Sequence, residues 1–131
     1  KHPTLMNTYL QLGSGIVIFA LIAYSIGVIT EQRKKVLSPK VLAFITIGVL
    51  LDITATIFMI LGTSKSGITL HGVIGYSSLF VMLVDAILLW RHRVVAGMGS
   101  AIREDLHKYT RYAYSWWVLA FITGLLLVVF G

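Results

Sequence analysis

A chain of 131 residues that is 57% hydrophobic and only 12% charged, with a mean hydropathy of +0.88, has more apolar surface than a soluble core of this length can hide. The surplus is expected to face lipid, and the lack of cysteine excludes disulfides, thiolate metal sites and thiol redox chemistry. A formal charge of +6 and a pI of about 9.8 would suit a nucleic-acid binder, but the basic residues already have a topological explanation and no nucleic acid is expected as a partner.

A helix needs roughly 20 mostly apolar residues to cross the hydrocarbon of a bilayer. Four stretches qualify, at about 8–29, 41–62, 68–90 and 109–130, and they leave no room for a soluble domain. The chain is therefore expected to be all-α, a single integral membrane domain over 1–131 in which four helices form an up-down-up-down bundle. The first span has polar residues at its start and no small-residue cleavage site after its apolar run, so it reads as a true helix rather than a secretory leader. Ser38 followed by Pro39 supplies a cap and a first-turn proline for the second helix. Gly62 to Gly67 makes a short turn between the second and third helices. The segment from Arg91 to Leu106 is long enough for an amphipathic piece along the membrane surface, with Gly97 and Gly99 marking loop.

Arg33, Lys34, Lys35 and Lys40 cluster after the first span, and Arg91, Arg93, Arg103, Lys108 and Arg111 after the third; only Lys1 and Lys65 lie elsewhere. The positive-inside rule then puts the first and third connections in the cytoplasm and both termini outside it.

Helices in lipid gain nothing by hiding apolar surface from one another, so small and polar residues on one stripe mark the face turned to other helices. His71, Gly75, Ser78, Met82 and Asp85 form such a stripe on the third helix. Asn7, Gln11, Ser14 and Ser25 suggest one on the first; Asp52, Thr56, Met59 and Thr63 on the second; and His107, Arg111, Tyr114, Phe121 and Gly124 on the fourth. Asp52 falls near mid-span, where an ionised carboxylate costs several kcal/mol unless paired, hydrated or protonated. It is a proton-handling candidate, together with Tyr76, or else a hydrogen-bonding link between helices through Ser78, Tyr114 or Trp117. Asp85 is at about the depth of Arg111 and is expected to form a structural ion pair with it.

Two spans begin with histidine. An imidazole inside a bundle is the axial ligand that a b-type haem requires, and Gly75 leaves space one turn from His71. His71 and His107 belong to opposite ends of antiparallel helices and cannot share one iron, so each needs another partner: His2 or Met59 for His71, and His92 for His107. Ligation between subunits of a homodimer is a further option.

The runs Leu70 to Tyr76, Asp85 to Arg91 and Leu106 to Tyr112, with Thr123-Gly124 near the end, resemble the small bacterial four-span proteins of HsmA type, and more loosely the histidine-led helices of membrane cytochromes b. The first resemblance implies a bacterial inner-membrane location, and the second implies haem. Three functions compete. One is a haem b electron carrier or quinone-reactive subunit holding iron through His71 and His107. Another is a non-catalytic accessory subunit of a larger respiratory or photosynthetic complex, and the third is a small proton or ion transporter using Asp52 and Asp85. Phosphate-cradling, nucleophile-elbow and paired-histidine zinc motifs are missing, so enzymatic activity is expected only as redox chemistry.

Overall fold

The computed structural model describes the backbone of residues 3–62 and 70–130, and side chains over 11–61 and 73–126 together with Thr8. Its elements are four helices, α1 (Pro3–Lys34), α2 (Pro39–Gly62), α3 (Leu70–Ala96) and α4 (Glu104–Phe130), with no regular strand among the described residues. Gln11–Lys34, Pro39–Leu61 and Val73–Ala96 are long and apolar enough to cross a membrane. The first half of α4 is more polar, because Arg111 and a run of tyrosines and tryptophans precede its apolar second half.

Helix ends are set by local chemistry. The Ser38 hydroxyl accepts from the Val41 N–H at 3.3 Å, capping α2 one residue before Pro39. Lys35 adopts φ +57° and its N–H bonds the Glu31 carbonyl at 2.7 Å, closing α1 with a left-handed residue behind the basic last turn of Arg33 and Lys34. Gly97 (φ +93°) ends α3 in the same way through the Arg93 carbonyl, and Gly99 (φ +84°) continues the turn. The acidic pair Glu104 and Asp105 favours the start of α4. No surface helix lies between α3 and α4; each extends past its apolar stretch, and the connection shrinks to 97–103. The turn expected at Gly62 to Gly67 falls outside the described residues apart from Gly62.

The two basic connections are joined to each other. Leu37 donates to Ser100 at 2.8 Å, Gly99 to Leu37 at 2.6 Å and Ile102 to Lys35 at 2.9 Å, around an isolated antiparallel bridge between Val36 and Ala101. These bonds satisfy backbone groups that the helix ends leave over, and Leu37 and Ile102 are buried beneath them.

α1 packs on α2 and α4, and α3 packs on α2 and α4. The α1–α2 contact is built on glycine. A Cβ at Gly13 would come 3.0 Å from Met59 Cγ, one at Gly27 would come 2.7 Å from Ile45 Cγ1, and one at Gly48 would overlap the Tyr24 ring at 2.4 Å. The buried stripes are Gly13, Ala20, Tyr24, Gly27 and Glu31 on α1 and Val41, Ile45, Gly48, Asp52 and Ala55 on α2. Those on α3 are Ser78, Met82, Asp85 and Leu89, and those on α4 are His107, Thr110, Ala113, Trp117 and Ala120. Large apolar side chains such as Phe19, Leu50, Phe80 and Leu119 point outward. The exterior is as apolar as the interior, and the interior also holds Glu31, Asp52, Ser78, Asp85, His107 and Thr110, a distribution unlike that of a soluble bundle.

Candidate functional site

The interior polar groups form two layers. In the layer nearer the paired connections, Glu31 is fully buried and its Oε2 lies 2.7 Å from His107 Nδ1. Gln32 closes this pair: its Nε2 donates to Glu31 Oε1 and, at 3.0 Å, to the His107 carbonyl, while its Oε1 accepts from Arg111 Nε at 3.0 Å. One turn deeper on α4, the Thr110 hydroxyl donates to Asp85 Oδ1. Asp85 is fully buried, and its second oxygen has no hydrogen-bond partner among the described residues. Three residues separate His107 from Thr110, about 4.5 Å of helix rise, so two buried carboxyls and an imidazole share roughly one turn of the bundle.

The second layer centres on Asp52. Its Oδ2 accepts from the Tyr24 hydroxyl at 2.9 Å and from Trp117 Nε1 at 2.8 Å. Tyr24 meets Trp117 edge-on with centroids 4.9 Å apart, and Trp117 stacks on Phe121 at 5.9 Å. Gly48 is what lets the Tyr24 ring lie against α2 one turn before Asp52. Seven residues of α4, about 10 Å of rise, separate Thr110 from Trp117, and buried Val28, Met82 and Ala113 occupy that interval. Beside it, Ser25 and Tyr114 hydroxyls are 2.6 Å apart.

The expected residues separate into those brought together and those not. Asp52, Asp85 and His107 are buried at polar contacts. Trp117, one of the three partners expected for Asp52, is bonded to it, whereas Ser78 donates to the Gly75 carbonyl and Tyr114 bonds Ser25. Asp85 and Arg111 do not form the expected ion pair: Asp85 is held by Thr110, and Arg111 reaches outward to Gln32 because its side chain lies on the exposed face of α4. Tyr76 is 51% exposed, and the hydrogen bonds to Asp52 come from Tyr24 and Trp117 instead. His92 Nε2 lies 2.9 Å from Ser100 Oγ in the connection, whereas His107 Nδ1 is bonded to Glu31. Met59 is half-buried against Gly13. His2 and the His71 side chain lie outside the described residues.

Glu31, Gln32, Tyr24 and Thr110 were not expected in the interior. Glu31 reads as the first residue of a charged connection, yet it continues the α1 stripe four residues after Gly27 and seven after Tyr24, the spacing that would have revealed it. Among the described residues, no three His, Asp or Glu side chains are grouped to hold a metal ion. Comparison with protein-family models, with curated proteins and with solved structures finds no match.

Proposed function

We propose that this chain is a four-span membrane protein, with its paired basic connections in the cytoplasm and both termini outside it, whose interior takes up and hands on protons at Glu31, His107 and Asp85. The observation that carries the reading is the unpartnered Asp85 oxygen, buried one turn from the Glu31–His107 pair. A carboxyl buried inside a membrane bundle with one oxygen unbonded among the described residues is placed to bind a proton, and an imidazole–carboxyl pair beside it can donate and accept one. Asp52 serves as the deeper acid, across the apolar interval of Val28, Met82 and Ala113. The four-span arrangement is supported by three long apolar helices, by outward Leu119, Ile122, Leu125 and Leu126 on α4, and by the direct pairing of the two basic connections.

The test is proton flux into vesicles carrying the purified protein, read with a trapped pH dye under an imposed potential. Flux above protein-free vesicles that drops at least tenfold in Asp85→Asn and in Glu31→Gln supports the reading. Flux absent in folded protein, or unchanged in both variants, refutes it.

Haem binding is the second reading, and the Glu31–His107 pair favours it: a carboxylate on Nδ1 fixes the imidazole and leaves Nε2 as the ligating atom. An oxidised-minus-reduced visible spectrum of haem-supplied protein, repeated with His107→Ala and His71→Ala, tests it. A b-type alpha band abolished by either substitution supports haem, and a featureless spectrum from folded protein removes it.

A further inference from the structure

Where the two connections meet, a cavity of about 560 Å³ opens between the last turns of α3 and the first turn of α4. Its lining is of two kinds. Leu88, Val95 and Leu106 form an apolar wall that runs onto the outer surface, where Val95 is 77% exposed, while Arg91, His92 and Arg103 provide the polar part. Arg103 is already engaged, since its Nε and Nη2 both hold the Asp105 carboxylate, which lines the same cavity. That contact keeps the Asp105 carboxyl below the usual carboxylate range and neutralises the pair. His92 is tethered through Nε2 to Ser100. Arg91 is exposed and has no hydrogen-bond or ion-pair partner among the described residues.

The cavity thus offers one uncompensated guanidinium, an imidazole beside it and an apolar wall continuous with the lipid-facing side of α3. A free anion in water would use the charge and gain nothing from the wall. An anionic phospholipid uses both, with its phosphate on the cations and its acyl chains along the helix. We propose that this cavity is a binding site for the phosphate headgroup of an anionic phospholipid, with Arg91 taking two phosphate oxygens through its planar fork and His92 flanking it. The proposal depends on the membrane placement above but not on proton transfer.

Native mass spectrometry of the detergent-purified protein, titrated with phosphatidylglycerol and in parallel with phosphatidylcholine, tests the site. Phosphatidylglycerol is expected to be retained in preference, and Arg91→Gln with His92→Gln to weaken it about fivefold or more, the scale of one basic residue's attraction to anionic lipid. Lys34→Gln with Lys35→Gln, which removes two charges from the neighbouring connection, is expected to change it less than twofold. Equal effects from the two pairs overturn the site in favour of general surface attraction, and no preference between the lipids overturns it outright. Displacement of phosphatidylglycerol by millimolar inorganic phosphate reassigns the cavity to a soluble phosphate. Carbonate extraction of the unsubstituted protein keeps the two readings apart: a chain that stays integral yet shows no preference for phosphatidylglycerol overturns this site and leaves the membrane placement standing.

Discussion

Replacing Gly48 by alanine should disconnect Asp52 from α1. The added Cβ would lie 2.4 Å from Tyr24 Cδ1 and 2.6 Å from Cε1. The ring is fully buried with Trp117 edge-on to it, so it cannot swing aside freely. Overpacking of this kind costs about 1–3 kcal/mol. Pulling the hydroxyl away from Asp52 adds about 1–2 kcal/mol for the lost bond to a buried carboxyl. Alanine's better helix propensity returns at most about 1 kcal/mol. The net expectation is a loss of roughly 2–3 kcal/mol from these terms. Gly15→Ala is the matched control, because a Cβ there meets nothing within 4 Å and only the propensity gain remains, about 0.5–1 kcal/mol of added stability. Equilibrium unfolding of detergent-solubilised protein by SDS, followed by circular dichroism, reads both. If the two variants shift together, the close contact between Tyr24 and Gly48 does not hold the bundle and the reasoning fails.

Other substitutions probe the remaining contacts. Glu31→Leu should cost about 1–3 kcal/mol by leaving His107 Nδ1 buried without the Glu31 carboxyl, and the double variant with His107→Leu should recover most of it, since apolar groups of similar shape often replace a buried hydrogen-bonded pair at little cost; thermal unfolding of the set checks this. Trp117→Phe keeps a ring against Tyr24 and Phe121 but removes one donor to Asp52, for an expected loss of about 1–2 kcal/mol in the same unfolding assay. Gly99→Ala places a side chain at φ +84° and should cost about 1–2 kcal/mol, appearing as faster hydrogen exchange at the Leu37 and Ile102 amides with the helix interiors unaffected.

The α3 stripe could be read in the sequence because Ser78 and Asp85 are conspicuous polar residues in an apolar run, and their spacing of seven puts them on one face with Met82. On α1 the same logic succeeded only in part: Ser25 meets Tyr114 of α4, while Asn7 lies outside the described side chains. Gln11 and Ser14 are exposed, and the buried stripe is marked instead by Gly13 and Gly27, whose missing side chains let α2 approach. Polarity alone does not identify an interface near a helix end, where a polar group has water or headgroups to bond. The apolar stretches located the helices but not their limits, because backbone hydrogen bonding runs on until Lys35 or Gly97 turns to positive φ. Glu31 was hidden for a related reason: four basic residues follow it within nine positions, and a charge count assigns it to the connection although its side chain is turned inward. The pairing of Val36 with Ala101 joins residues far apart in the chain and left no local signal.

The polar contacts also determine how the chain can assemble. Each helical hairpin, α1–α2 and α3–α4, carries half of most of them: Glu31 meets His107, Asp52 meets Trp117, Ser25 meets Tyr114, and Thr46 accepts from Trp90 at 2.9 Å. If all four helices span the bilayer as proposed, hairpins that reach it separately arrive with unmet partners, and any docking that slips one helical turn leaves a carboxyl or imidazole facing hydrocarbon. Because lipid gives apolar faces little reason to choose one another, these mismatches penalise wrong arrangements more than the contacts stabilise the right one. The buried acids that would serve proton chemistry thereby also set the register in which the two halves of the chain can meet.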